Sequence, residues 1–407
     1  MFYEALPSLY FINKILKIYV PDSTYITLKS YLYTQPVNQM SIILGQNLSK
    51  EAELLIACAR TSCDDKYRYK IEDLIESNIN WQYFMQIAVL HKVMPLVYTN
   101  LNAVARSSVA LEVLETLRSL FQRNAQKNLL LTGELLQILA LLEQEGITAV
   151  PYKGPILSNS VYGNLAMRQS GDVDIIVQRS EILKVKPILL SLGYKRTQKL
   201  TDAEELAFFQ SKREHTYDFI DDAKQVLIEI HWRITPRFSS LIEPKHFWKY
   251  LEPQAFGGRT INSLPLDYWL PILCVHGSRH CWERLGWICD IAELIRRHDI
   301  DWDKIINFAS SLGCRRMLLL GLFLASELMG TVLPQFVIQQ IQAESQIFTL
   351  ATEVGTHLFK PDNAKAKFMG ATLYHIQARE RWQDKAMYLQ SFIDWLVHPD
   401  KWNWSNT

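Results

Sequence analysis

The sequence predicts an α+β fold in which a small mixed sheet stands between two large helical segments. Apolar residues recur three and four apart in the first and last parts of the chain, whereas alternating apolar residues occur in the middle. Glycine and proline, 16 and 15 of 407 residues, are too few for a low-complexity chain. We expect an N-terminal helical domain over residues 1–125, a core domain over residues 126–260 and a C-terminal helical domain over residues 261–407.

Helical periodicity is the main feature of the first segment. It is clearest over residues 51–105, where apolar residues such as Trp81 and Phe84 lie three or four positions apart. A further helix is expected from Asn128 to Glu145, because its leucines form one stripe and Gly146 follows as a C-terminal cap.

Strand patterns are confined to the middle of the chain. Strands are expected over residues 147–152, 172–177, 215–220 and 226–234. A helix is expected between the second and third strands, ending at Gly193, and residues 221–224 have the length and polarity of a hairpin turn. The helical period returns at about residue 264 and continues to about residue 396.

Charge and cysteine content limit the class of protein. With 43 Lys and Arg against 42 Asp and Glu, the net charge of +1 gives no bulk field for long nucleic acid or an anionic membrane. The six cysteines include no Cys-x-x-Cys pair, so we expect reduced thiols and a cytoplasmic protein. Met1–Val20 lacks a signal-peptide cleavage site, and polar residues interrupt the apolar run Met317–Leu333, so we expect a buried helix there and no membrane association.

Acidic residues on two of the expected strands are candidates for a metal site. Asp172 and Asp174 are two residues apart and therefore leave the same face of a strand. Glu229 stands in mid-strand between two isoleucines, where a carboxylate is costly unless it is paired or binds a metal. If the two strands are neighbours, three carboxylates converge and can hold two Mg²⁺ ions, or Mn²⁺ in their place. Acids at this spacing also arise by chance at the edge of a sheet or in a turn. The spacing alone therefore does not distinguish a metal site from carboxylates that only face solvent.

The residues around these acids favour phosphate binding. Lys153 and Gly154 stand where the first strand enters a helix that carries Ser158, and a cation beside a helix N-terminus attracts phosphate. Arg168 lies in the loop before the acids, just ahead of Gly171, and a guanidinium can contact phosphate oxygens in bidentate fashion.

In these motifs the chain resembles the bacterial nucleotidyltransferases of the polymerase-beta type. Within that family it resembles a branch whose motifs are, in order, Lys-Gly, Tyr-Gly, Arg, Gly-Asp-x-Asp and Glu-x-His-Trp or Asp-x-His-Trp. They read here Lys153-Gly154, Tyr162-Gly163, Arg168, Gly171-Asp172-Val173-Asp174 and Glu229-Ile230-His231-Trp232. The resemblance covers about residues 50–335 and extends to His276, His280 and Asp290.

This resemblance implies a polymerase-beta-like core that transfers a nucleoside monophosphate from an NTP, with ATP favoured, to an acceptor the sequence does not identify. It implies Asp172, Asp174 and Glu229 as catalytic metal ligands. The Gly-Ser pair of the wider superfamily is replaced by Gly154-Pro155, so Lys153 or a serine such as Ser158 is expected to complete the phosphate grip.

Histidines in the last third of the chain leave a second interpretation open. His276 and His280 are four residues apart and Asp290 follows, so this spacing is compatible with a zinc site of two histidines and one carboxylate. The other interpretation is a helix that lines the nucleotide cleft, which the resemblance favours. His231 shares the face of Glu229 and is expected to support the metal, act as a base or serve structure alone.

Three hypotheses follow. The first is a Mg²⁺-dependent nucleotidyltransferase, the second a non-catalytic NTP-binding or scaffold protein on the same fold, and the third a metal-dependent phosphohydrolase centred on His276, His280 and Asp290. The acceptor in the first is a small molecule, a peptide, a protein side chain or an RNA end, and the near-neutral charge disfavours long nucleic acid. The sequence does not indicate an oligomeric state.

Overall fold

A computed structural model describes residues 48–198, 200–359 and 372–397. Within these residues the first elements are helices: α1 Lys50–Cys58, α2 Asp65–Glu76, α3 Trp81–Leu90, α4 Met94–Val104 and α5 Leu111–Gln144. Side-chain caps explain where several of them begin, since Ser49, Asp64 and Asn80 each accept a hydrogen bond from a backbone N–H in the first turn. The segment Met1–Val20 lies outside the described residues.

Helix α5 is much longer than the sequence predicted. It begins at Leu111 rather than Asn128, and it ends one residue earlier than expected, ahead of Gly146 with φ of 70°. Its buried residues form two groups, one ending at Leu117 and one starting at Asn128, and the polar stretch between them hid the periodicity. The helix runs across residue 125, the first expected domain boundary; the division into three domains stays a prediction.

The central sheet contains the four predicted strands and one short strand that was not predicted. The strands are β1 Ala149–Tyr152, β2 Val173–Val177, β3 Lys195–Arg196, β4 Thr216–Asp221 and β5 Val226–His231. The order across the sheet is β1-β2-β5-β4-β3, and β2 and β5 are the parallel pair. The mixed α+β class is therefore confirmed.

Helices and a separate hairpin complete the middle of the chain. The helices are α6 Gly154–Tyr162, α7 Ile182–Ser191 and α8 Asp202–Gln210, and the hairpin consists of β6 Glu252–Phe256 and β7 Arg259–Ser263. The sequence did not predict this hairpin, because only Phe256, Ile261 and Ser263 of its ten residues are buried and the apolar alternation is too weak.

The last part of the described chain is helical, as predicted. Its helices are α9 Leu266–Arg279, α10 Leu285–Arg297, α11 Trp302–Ser311, α12 Arg315–Met329, α13 Gln335–Ala343, α14 Gln346–Leu358 and α15 Trp382–Val397. The apolar run Met317–Leu333 falls mostly within α12, a buried helix that packs against α9, α10 and α14. No helix in the described ranges combines the length and apolarity needed to cross a bilayer. All six cysteines are free thiols, as expected.

Candidate active site

A pocket of about 450 Å³ lies where the β1, β2 and β5 ends face helices α9 and α10 and the turn between α3 and α4. It gathers almost all the residues that the sequence singled out: Lys153, Gly154, Arg168, Gly171, Asp172, Asp174, Glu229, His231, His276, His280 and Asp290. Ser158 is the exception. Its buried hydroxyl donates to the carbonyl of Gly154 at 3.2 Å, so it supports the turn rather than facing the pocket.

Two carboxylates stand side by side at the floor of this pocket. The parallel pairing of β2 and β5 places Asp174 opposite Glu229, which confirms the expected neighbourhood of the two strands. Asp174 Oδ1 accepts from Lys153 Nζ at 2.7 Å and lies 3.0 Å from His231 Nε2. Asp174 Oδ2 is buried and has no hydrogen-bond partner within the described part of the chain. One oxygen of a buried carboxylate is therefore available to a cation.

His231 connects the two carboxylates. Its Nε2 lies 3.1 Å from Glu229 Oε2 as well as near Asp174, and its Nδ1 lies 3.0 Å from the hydroxyl of Tyr152. Two acceptors at Nε2 favour the tautomer that carries its proton there, so Nδ1 accepts from Tyr152. Burial opposes protonation, but the hydrogen bonds to Asp174 and Glu229 outweigh it and raise the pKa of His231.

The donor set fits a divalent cation. One ligand atom from each of Asp174, Glu229 and His231 lies within 4.8 Å of the other two, and carboxylate oxygens suit Mg²⁺ and Mn²⁺. Asp172 is not in this set, although it lines the same pocket. Burial and then the charge of Asp174 raise the pKa of Asp172 to about 6, so a nearby cation would favour its ionised form.

The turn from β1 into α6 brings Lys153 onto Asp174. Lys153 has φ of 56° and ψ of −150°, a costly conformation for a residue with a side chain, and Gly154 follows at φ of 45°. A Cβ on Gly154 would lie 2.9 Å from the carbonyl oxygen of Asp172, so a larger residue does not fit there. Burial disfavours the ammonium, yet Asp174 raises the pKa of Lys153 above its ordinary value. The strained turn holds a charged lysine beside the acids.

Arg168 is held in place by Asp290. Its Nε and Nη2 donate to Asp290 Oδ1 and Oδ2 at 2.9 and 3.1 Å, and the hydroxyl of Tyr162 donates to the same Oδ1 at 2.7 Å. Nη1 makes only a long contact, 3.5 Å, with Ser170. Asp290 is thus the bidentate partner of Arg168, and one edge of the guanidinium remains for a ligand in the pocket.

The zinc arrangement considered for His276, His280 and Asp290 is not formed. Among the residues that the structure describes, only the cluster of Asp174, Glu229 and His231 has metal-ligand geometry. His276 and His280 instead pack with their rings 5.3 and 5.2 Å from that of Trp287. Burial lowers the pKa of His280 to about 4 and that of His276 well below its ordinary value, so both rings are neutral at pH 7.

Several residues of the pocket were missed by the sequence analysis. Lys92, Arg279 and Arg284 add three positive charges to the lining of the pocket. Arg279 Nη1 lies 2.9 Å from His215 Nε2, and burial followed by the charge of Arg279 lowers the pKa of His215, which stays neutral. Arg279 lies between His276 and His280 and Arg284 follows them, so both could have been noticed, whereas nothing in the sequence connects Lys92 with the distant strands.

One further acid was missed on the strand next to Glu229. Asp218 of β4 lies opposite Glu229 in the antiparallel register, and burial together with the charge of Glu229 raises its pKa to about 6. The sequence shows that Asp218 alternates with Tyr217 and Phe219, both of which are buried. It does not show that Asp218 lies opposite Glu229.

The fold and site together define an α+β protein with carboxylates and a histidine at the floor of a pocket whose lining holds five cations and five acids. A comparison with protein families matches residues 77–330 to the family described as uncharacterised nucleotidyltransferase, a range that includes every residue lining the pocket. The chain belongs to this family, as the motifs predicted. Comparisons with curated proteins and with solved structures give no match. Membership supports a general role in nucleotidyl transfer and implies a nucleotide substrate.

Proposed function

We propose that the protein is a Mg²⁺-dependent nucleotidyltransferase that moves a nucleoside monophosphate from an NTP, with ATP favoured, to an acceptor. The observation that carries this proposal is the register of Asp174 opposite Glu229, on parallel strands at the floor of a pocket that also holds five cations. Family membership supports the same class of reaction.

Asp174 and Glu229 are the metal ligands in this proposal, with Asp172 as the third carboxylate and His231 beside them. The unpartnered Oδ2 of Asp174 supports the assignment, because buried carboxylate oxygens normally have a partner. Two Mg²⁺ ions, or Mn²⁺ ions in their place, would neutralise charge on the leaving pyrophosphate and lower the pKa of the attacking hydroxyl.

The phosphate grip consists of Lys153, the free edge of Arg168 and the backbone N–H groups at the start of α6. Pro155 has no N–H to donate, so the two cations replace the donor that a Gly-Ser pair would supply. In the reaction the acceptor oxygen bonds to the α-phosphorus, the bond from that phosphorus to the oxygen that bridges to the β-phosphate breaks, pyrophosphate leaves, and the hydroxyl proton passes to solvent.

Lys92 and Arg284 are proposed contacts for the β- and γ-phosphates. Neither forms an ion pair with any residue in the described ranges, and both line the pocket. Unpaired cations in a cleft of this kind raise the local concentration of an anionic substrate.

The base of the nucleotide is proposed to lie against Trp287. This indole is partly exposed in the pocket, and the neutral rings of His276 and His280 pack beside it. An aromatic wall of this kind accepts any base, because every base presents a π-face.

Labelled ATP tests the reaction class. The protein is incubated with Mg²⁺, a cell extract and ATP labelled at either the α- or the γ-phosphate; Asp174→Asn is the test variant and Asp222→Asn, in the exposed β4–β5 turn, its matched control. We expect the α-label in a new species and the γ-label in pyrophosphate. Asp174→Asn should form neither labelled product, whereas the control variant should form both.

Other label patterns decide between the alternatives. Transfer of the γ-label alone would contradict nucleotidyl transfer and indicate a kinase. ATP binding without any turnover, unaffected by chelation of metal, would support the non-catalytic hypothesis. The ion pair of Lys153 with Asp174 favours that hypothesis, because the lysine already neutralises one of the carboxylates that would bind the metal.

A further inference from the structure

A second pocket, of about 490 Å³, shares no lining residue with the candidate active site. Its charged residues are four cations and one acid, Arg179, Arg233, Lys245, Lys249 and Glu243. Glu243 pairs with Lys245 at 2.7 Å, so the other three cations set the charge of the pocket. The pocket is therefore positive although the chain as a whole is nearly neutral.

Arg233 is the buried cation of this pocket. It is 7% exposed, and its Nη1 donates to the backbone carbonyls of Ser211 and Glu214 at 2.8 and 3.1 Å. No carboxylate in the described part of the chain forms an ion pair with it. Burial and the neighbouring charge of Arg179 lower the pKa of Arg233. Glu243 attracts Arg233 without forming a direct ion pair, because its carboxylate is bound to Lys245. Buried charges are normally paired directly, so an anionic ligand would supply the contact that this guanidinium lacks.

Trp232 is a second, independent sign that a ligand belongs here. The residue is 3% exposed and lines the pocket, yet its Nε1 has no hydrogen-bond acceptor within the described residues. Its ring packs against Phe208 and Phe209 with centroid distances of 5.8 and 5.4 Å. A buried indole N–H without a partner is rare in folded proteins, and an oxygen of a bound molecule would satisfy it.

We propose that this pocket binds a small organic anion, a carboxylate or phosphate group carried on a flat apolar body. Arg233 and Arg179 pair with the anionic group, Trp232 and Trp248 contact the body, and the indole N–H of Trp232 donates to an oxygen of the ligand. The proposal is independent of the proposed catalytic function, because Trp232 packs on α8 whereas the preceding His231 contacts Tyr152 in the other pocket.

Calorimetry on the full chain tests this with three probes: indole-3-acetate, 1-naphthyl phosphate and the uncharged indole-3-acetamide. We expect one equivalent of at least one anion to bind, and at least about tenfold weaker binding of the amide, because charge-assisted contacts are lost. The anion that binds more tightly identifies the head group as carboxylate or phosphate.

Two exposed arginines provide matched variants. Arg179→Ala should weaken the anion about tenfold, whereas Arg284→Ala, in the first pocket, should leave its affinity unchanged. Trp232→Phe keeps the aromatic packing, removes the N–H and should weaken binding several-fold; if it does not fold, the arginine pair decides. Absence of saturable binding, equal binding of the amide, or a loss confined to Arg284→Ala would overturn the proposal.

Discussion

Asp290 is the buried acid that holds Arg168 in place in the candidate active site. It occupies two nitrogens of Arg168 and leaves the third toward the pocket. We predict that Asp290→Asn weakens ATP binding about tenfold and AMP binding much less, if Arg168 contacts the β- or γ-phosphate. Calorimetry with ATP, ADP and AMP measures this.

The Tyr162 hydroxyl provides a graded control for that prediction. Tyr162→Phe removes one hydrogen bond to Asp290 but keeps the ion pair, so its effect on ATP affinity should be smaller, about 0.5–1.5 kcal/mol. Asp290→Asn leaves a buried guanidinium without its charge partner and should also lower stability, so thermal unfolding must confirm that the variant is folded. Unchanged ATP affinity in a folded Asp290→Asn protein would show that the ion pair of Asp290 with Arg168 does not support ATP binding.

Single residues differ in how far the sequence could predict their place. Asp174 and Glu229 were predictable, because a carboxylate within a buried apolar strand needs a reason to be there. Lys153 was predicted as a phosphate ligand, but its ion pair with Asp174 depends on a φ of 56° that composition does not reveal. Lys92 was not predictable, since only tertiary packing brings the α3–α4 turn over the sheet.

Helix packing beneath the pocket depends on one glycine of α9. A Cβ on Gly277 would lie 2.6 Å from ring carbons of the fully buried Trp282, which stands in the turn leading to α10. We predict that Gly277→Ala destabilises the protein by about 1–3 kcal/mol and reduces activity, because displacement of Trp282 moves the pocket residues His280 and Arg284. Chemical denaturation and turnover measure the two effects.

Gly133 of α5 is the matched control for that substitution. It also lies inside a helix, but no atom lies within 4 Å of a Cβ placed on it. Gly133→Ala should therefore stabilise the protein by about 0.5–1 kcal/mol through helix propensity. Equal effects of the two substitutions would show that Trp282 does not limit the space at Gly277.

Two helices of the C-terminal segment carry glutamates that make stability depend on pH. Burial raises the pKa of Glu327 in α12 and of Glu353 in α14 to about 7, from an ordinary value of 4.5. Between these values the folded protein holds more protons than the unfolded chain, so the contribution of each group to stability falls as the pH rises from about 4.5 to about 7.

We predict that Glu327→Gln is more stable than the parent protein by about 1–3 kcal/mol at pH 8, and equally stable near pH 4.5. Thermal unfolding across this pH range measures the difference, with the exposed Glu252→Gln as the control. A constant difference at every pH would mean that the effect comes from packing rather than from ionisation.

At the scale of the whole molecule, the sequence predicted the order of helices, sheet and helices because periodicity is local. It did not predict the strand order or the separate β6–β7 hairpin, because the pairing of strands depends on contacts between distant residues. It also did not predict the full length of α5, because the middle of this helix has few buried apolar residues to mark it. The net charge of +1 gave no sign of the second pocket, where four cations stand against one acid. Averages over a chain do not describe its clefts.

Binding of Mn²⁺, followed by electron paramagnetic resonance, tests whether Asp174 and Glu229 hold the divalent metal. Four proteins are compared: the parent, Asp174→Asn, Glu229→Gln and the double variant His276→Asn/His280→Asn. Removal of a ligand should cost at least the ~10–100-fold loss of affinity that follows removal of a residue supporting a ligand. We expect both acid variants to lose Mn²⁺ affinity to this extent and the histidine variant to keep it. Unchanged affinity in Asp174→Asn and Glu229→Gln, or a loss only in the histidine variant, would contradict the account.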